Sequence, residues 1–144
     1  MEVATKVMTL ALLVGLLIAG ASSPVQADPE AEKAATSAAL SWLMLIDEGR
    51  YAESWKQASD YFRGAVTEKG RDTSLRGVRV PLGKTMSRQV RSTKEATSLP
   101  GAPDGHYVVM EFATSFANKA SVIETVTFML DKGRQWRAAG YFIR

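Results

Sequence analysis

The chain has 144 residues, 46% of them hydrophobic, with one histidine, no cysteine and a formal net charge of +3. Without cysteine there is no disulfide framework, no thiol nucleophile, no cysteine-held metal and no cysteine lipid anchor. The charge excess is small and its cations carry few interleaved aromatics, which reads as a solvated basic surface and not as a nucleic-acid interface.

At the N-terminus Lys6 precedes a charge-free apolar run, Val7–Ala19, followed by Gly20, Pro24 and the small-residue pattern Val25-Gln26-Ala27. This is the layout of a secretory signal peptide over residues 1–27, with cleavage expected between Ala27 and Asp28. An apolar run of about 13 residues falls short of the ~20 that span a bilayer as a helix, so no stable membrane anchor is expected after cleavage. The mature chain, 28–144, is expected in the periplasm as a single α+β domain.

Asp28 suits an N-cap and Pro29 a first helical turn, which places a first helix over Pro29–Glu48 with Gly49 as its stop. Ala35, Ala38, Trp42, Leu45 and Ile46 recur along it at helical spacing. Tyr51, Trp55, Ala58, Ser59 and Phe62 lie three or four apart on the stripe of a second helix. A third is expected over Ala65–Arg79, with Ala65, Leu75 and Val78 inward, weakened by Gly70 and Gly77 and ended by Pro81. After Gly83 the pattern turns to strands. Lys84–Ser98 is polar and half exposed, and Leu99–Gly105 is dense in turn residues. Tyr107–Phe116, Val122–Leu130 and Gln135–Ile143 follow, joined by Ala117–Ala120 and by a hairpin turn at Asp131-Lys132-Gly133. Helices first and strands after predict an α+β fold, with N-terminal helices packed on a curved four-stranded antiparallel meander. The small residues Ala138-Ala139-Gly140 predict a bend, or the close approach of a helix or a second subunit.

Two regions carry a family resemblance. One is Trp42–Trp55 leading into Ser59–Arg63. The other runs from Ser98–Gly105 through Tyr107–Val109 and Glu124–Thr127 to Trp136-Arg137 and Gly140–Ile143. Together they resemble an exported bacterial family known as domain of unknown function 4019, which brings no established activity. The layout is also similar to the cystatin-like, or nuclear-transport-factor-2-like, cone. That fold hosts enzymes, scaffolds and binding modules, so the likeness selects no function.

Few residues offer chemistry. His106 follows the turn cluster with no second histidine and no orienting acid nearby in sequence, so it reads as a loop residue and not a metal ligand or base. There is no Gly-x-Ser-x-Gly elbow and no phosphate-cradling glycine loop. The basic set Arg71, Arg76, Arg79, Lys84, Arg88, Arg91 and Lys94 reads as a solvated face. Glu124 stands out, because strand alternation groups it with Val122, Val126, Phe128 and Leu130 on one face. If that face meets the helices, burial raises its pKa unless a cation lies close. Arg88 shares its strand face with Met86 and Val90, and Arg63, at the end of the second helix, can reach the sheet.

The candidate ligand-binding residues are therefore Glu124, Arg63 and Arg88, around a small polar or anionic ligand. A structural ion pair, or a solvent-facing Glu124 after a bulge, stands as the alternative. No catalytic residue, metal or cofactor is assigned. The function expected is a non-enzymatic exported module that binds a small ligand or an envelope protein. The alternatives are a small cone-fold enzyme with Glu124 as its acid–base group, and a structural subunit that forms a homodimer through its sheet.

Overall fold

A computed structural model describes residues 27–144; the expected signal peptide up to Gln26 lies outside the described residues. Four helices, α1 (Pro29–Asp47), α2 (Tyr51–Lys56), α3 (Asp60–Ala65) and α4 (Glu68–Leu82), precede four strands, β1 (Thr85–Ala96), β2 (Tyr107–Phe116), β3 (Lys119–Leu130) and β4 (Trp136–Ile143). The strands form one antiparallel sheet in the order β1-β2-β3-β4. This is the α+β arrangement of N-terminal helices against a curved four-stranded meander that the residue pattern predicts.

α1 starts where expected. The Asp28 side chain accepts from the Glu30 amide at 3.1 Å, Pro29 occupies the first turn, and Glu30 and Glu32 complement the positive end of the helix. The helix ends at Gly49, whose φ of 76° lets the chain reverse so that the Arg50 amide reaches the Leu45 carbonyl at 2.8 Å. Ala35 and Ala39 are fully buried, and their small side chains bring the α1 backbone close to the sheet. Trp42 anchors the layer between them. Its ring meets Phe128 of β3 and Tyr141 of β4 edge-on, each at 5.9 Å, and its indole nitrogen donates to the Ser54 carbonyl at 2.8 Å.

The single second helix expected over Tyr51–Phe62 is two short ones. Ser59 is extended (ψ 156°), its hydroxyl accepts from the Phe62 amide at 3.1 Å, and its own amide donates to the Ala138 carbonyl of β4 at 2.9 Å. A serine that caps a new helix while its amide is captured by a strand has no bond left to continue the old one. The acceptor is presented by a β-bulge. Thr127 pairs with Gly140 and Phe128 with Ala138, leaving Ala139 as the extra residue. The small residues of β4 thus mark both a bend and the approach of the α2–α3 corner.

α4 is shifted toward the C-terminus from the expected span, because Thr67 caps it through the Gly70 amide at 3.0 Å. The shift changes its inward face. Arg71, Leu75 and Arg79 are buried, whereas Val78 is 44% exposed and Ala65 belongs to α3 and faces solvent. Pro81 lies inside the last turn and does not end the helix; Gly83, at φ 76°, does. β2 has the predicted bounds. In the β3–β4 turn the positive φ falls on Arg134 (59°) and not on Gly133, and the Asp131 carboxylate accepts from the Gln135 amide at 2.8 Å.

Candidate functional site

Two places gather the polar side chains, one inside the layer and one at its open end. The interior one is built by the sheet register. A bulge between Thr85 and Ser87 sets Arg88 opposite Thr114, on the face of the sheet that meets the helices, while Met86 falls at the bulge and is 64% exposed. Glu124 lies opposite Phe112 on the same inner face and is fully buried. Arg88 Nε donates to Glu124 Oε1 at 2.7 Å and Nη2 to Oε2 at 3.2 Å. The Thr114 hydroxyl donates to Oε1 at 2.5 Å, and the Tyr141 hydroxyl donates to Oε2. A carboxylate accepts about four hydrogen bonds, so this one is saturated.

The other side of Arg88 is equally engaged. Its Nη1 and Nη2 donate to Asp47 Oδ2 and Oδ1 at 2.7 and 3.0 Å, and Arg79 Nη2 donates to the same Oδ1 at 2.7 Å. Thr85 completes the group, donating to Asp47 Oδ1 at 2.9 Å and accepting from Arg79 at 3.0 Å. Two carboxylates and two guanidiniums therefore form a neutral chain from the end of α1 through α4 and β1 to β3. Burial pushes the Asp47 carboxyl up, but the hydrogen bonds from Arg88 and Arg79 outweigh it and leave the pKa below the usual range. Burial likewise opposes the Arg88 charge, and its bonds to Asp47 and Glu124 hold it above the ordinary arginine value. The Tyr141 phenol is pushed up by burial first and then by the charge of Glu124, so it remains a donor.

Arg71 lies beside this chain without a carboxylate. Its guanidinium carbon is 5.1 Å from the Phe62 ring, 5.2 Å from Trp42 and 5.5 Å from Tyr141, and its Nε and Nη2 find no acceptor among the described residues. Burial lowers its pKa to about 10. Arg71 and Arg79, read from the sequence as part of a solvated face, are thus interior. The signal was their spacing: they lie four residues either side of Leu75, on one helical stripe.

Arg63 is placed elsewhere. It is not among the four donors to Glu124, which corrects the expectation that it stands beside that residue. It pairs with Asp60 in its own helix, lies 6.0 Å from the Trp55 ring, and lines an open cleft of about 580 Å³. The walls of the cleft are the α2–α3 corner, the Pro103–Gly105 loop and the β3–β4 turn. Tyr61 donates to the Gly101 carbonyl at 3.0 Å and Tyr107 to the Pro103 carbonyl at 2.5 Å, which ties the loop to helix and strand. Four cations (Lys56, Arg63, Lys132, Arg137) and three carboxylates (Asp60, Asp104, Asp131) line the cleft, over a floor that includes Ala58, Met129 and Leu130. Arg63 pairs with Asp60 and Arg137 with Asp131 at 3.4 Å, and Lys56, Lys132 and Asp104 enter no ion pair among the described residues. The Asp131 carboxyl is held below its usual pKa by the Gln135 amide first and by Arg137 after it.

The fold and these two polar groups define a small α+β protein with a buried chain of ion pairs and a charged cleft at one end of its sheet. Residues 38–141 match the family described as "Protein of unknown function (DUF4019)", and the chain belongs to that family. Comparison with curated proteins and with solved structures gives no match.

Proposed function

We propose that this is an exported, non-enzymatic binding module of the bacterial envelope, released into the periplasm by cleavage after Ala27, and that its ligand seat is the cleft lined by Arg63. One observation carries the reading: a cleft of about 580 Å³ has on its walls Lys56, Lys132 and Asp104, which enter no ion pair among the described residues. That volume lies in the range that small-molecule sites occupy, and the charges left without an ion-pair partner are the ones free to orient a ligand. The charges suit a small polar ligand with an acid group for the lysines and a hydrogen-bond donor for Asp104. Glu124 and Arg88, the other two candidates, serve in this reading as the scaffold behind the cleft. A general base needs a free lone pair within reach of a substrate proton, and the Glu124 carboxylate spends its acceptor capacity on Arg88, Thr114 and Tyr141.

The test is to add an extract of envelope small molecules to the ¹⁵N-labelled protein and follow its amide resonances. The reading predicts shifts confined to the Lys56–Arg63, Pro103–Gly105 and Asp131–Gly133 segments, abolished by Lys132→Glu. Shifts centred on Arg88 and Glu124 instead would reinstate the buried group as the ligand site and overturn the cleft.

A further inference from the structure

We infer that Glu95 is the receptor for the α-ammonium group that cleavage between Ala27 and Asp28 creates, so that maturation itself fastens α1 to the edge of the sheet. The inference rests on the export reading above. The Asp28 backbone nitrogen donates to Glu95 Oε1 across 67 positions of sequence. The other carboxylate oxygen is held by His106 Nε2 at 2.8 Å, and the Glu95 side chain is only 5% exposed. His106 is fixed in turn by the Trp136 ring, 5.1 Å away and edge-on. The nitrogen that makes this long-range bond thus belongs to the residue that the small-residue pattern Val25-Gln26-Ala27 marks as the first of the mature chain.

In the uncut chain that nitrogen is a neutral amide with one hydrogen. Hydrolysis of the Ala27–Asp28 bond consumes one water; Ala27 leaves as a carboxylate on the released peptide and Asp28 keeps an ammonium with three hydrogens. An ammonium there stands at the positive end of α1, which disfavours a cation unless an anion faces it. The other acids at this end have partners of their own: the Asp28 carboxylate accepts from the Glu30 amide and Glu32 accepts from the Thr93 hydroxyl at 2.9 Å. Glu30 lies in the first turn of α1, where it offsets the helix end itself. Glu95, aligned by His106, is the carboxylate aimed at the nitrogen. With Glu32–Thr93 beside it and Asp47–Arg88 at the far end, the cut leaves α1 tied to β1 along its whole length.

The experiment uses protein expressed as the full chain and recovered from the cell envelope, its N-terminus first read by mass spectrometry. It is then treated at pH 7 with an acetylating reagent, and acetylation of the N-terminal amine is followed with time. A carboxylate at ion-pair distance raises an amine pKa by one unit or more, which cuts the reactive free-amine fraction about tenfold. Acetylation of Asp28 is therefore expected about tenfold slower in the folded wild type than in Glu95→Gln or in the urea-unfolded wild-type chain. His106→Gln, which keeps the carboxylate, is expected to change the rate less than about threefold. If Glu95→Gln fails to fold, the unfolded wild type supplies the comparison. A chain that begins at Asp28 but is acetylated at the unfolded rate overturns the inference and leaves the export reading standing. A chain that begins elsewhere overturns both.

Discussion

A carboxylate taken out of water costs several kcal/mol unless its charge is met, and the charge of Glu124 is met by four donors from three strands. Breaking such a group is worse than never having built it, because the partner is stranded. Glu124→Gln is expected to lower unfolding stability by about 3 kcal/mol, the low end of the range for a broken buried pair, since Arg88 keeps Asp47. The double variant Glu124→Gln/Arg88→Met should lose less than the sum of the two single losses, and urea titration of all three gives the coupling directly. Additive losses would show that the two residues act separately. Arg71 is the opposite case. Its burial among three rings biases against the charged form by about 3 kcal/mol, and stacking returns up to ~2 kcal/mol of that. Arg71→Met, which keeps the apolar stem, is expected to gain about 1 kcal/mol. A loss in the same titration would mean that the charge is compensated. Asp47 contributes to the acid limb, as Asp131 does. Its folded pKa lies below its unfolded one, so its contribution is present above the unfolded value and is lost as pH falls through the folded one. Asp47→Asn should therefore flatten the fall in urea midpoint at pH values below about 4; an unchanged acid limb would place the loss on other groups.

At the scale of elements, Ser59 carries two jobs at once: it caps α3 and it fastens the α2–α3 corner to the β4 bulge. Ser59→Ala removes the cap but not the amide bond, and is expected to cost about 1 kcal/mol. Because α3 is a wall of the cleft, the same variant should weaken ligand retention, whereas Thr67→Ala, which uncaps α4, should cost a similar amount without that effect. Equal retention in both would detach the cleft from function. Ser59 also shows why the helix break was illegible: it fits the apolar stripe from Tyr51 to Phe62 and the N-cap position equally well, and only a carbonyl 79 positions away decides between them. The strands were legible for the converse reason. In β2 the inward positions Val108, Met110, Phe112 and Phe116 alternate, and the turn before it, Leu99–Gly105, is dense in Pro and Gly, so its start follows from local chemistry. The phase of α4 was missed because two of its three inward positions, Arg71 and Arg79, are arginines, which no apolar period counts.

Across the whole molecule, the inward aim of Glu124 and Arg88 as a partner for it could be read from strand alternation, and the two form an ion pair. Asp47 and Arg79 are brought to the group by the packing of two helices, which leaves no mark in local sequence. Arg63 was legible as a chemically useful residue and misplaced, because the break at Ser59 turns its helix away from the buried carboxylate. The sheet has two edges, β1 and β4. β1 carries two register shifts and the cations Arg91 and Lys94; bulges and lysines blunt an edge against pairing, so dimers through β1 are not expected. What distinguishes a binding module from a self-associating subunit is thus what travels with the protein when it leaves its own compartment.

Native mass spectrometry of protein taken undenatured from its own cell envelope reads this in one spectrum. The account predicts a monomer of mass Asp28–Arg144 carrying a reproducible small-molecule adduct, which is lost in Lys56→Glu and Lys132→Glu while Glu124→Gln retains it in its folded fraction. A bare dimer, or an adduct that survives both lysine changes and disappears with Glu124→Gln, would contradict it.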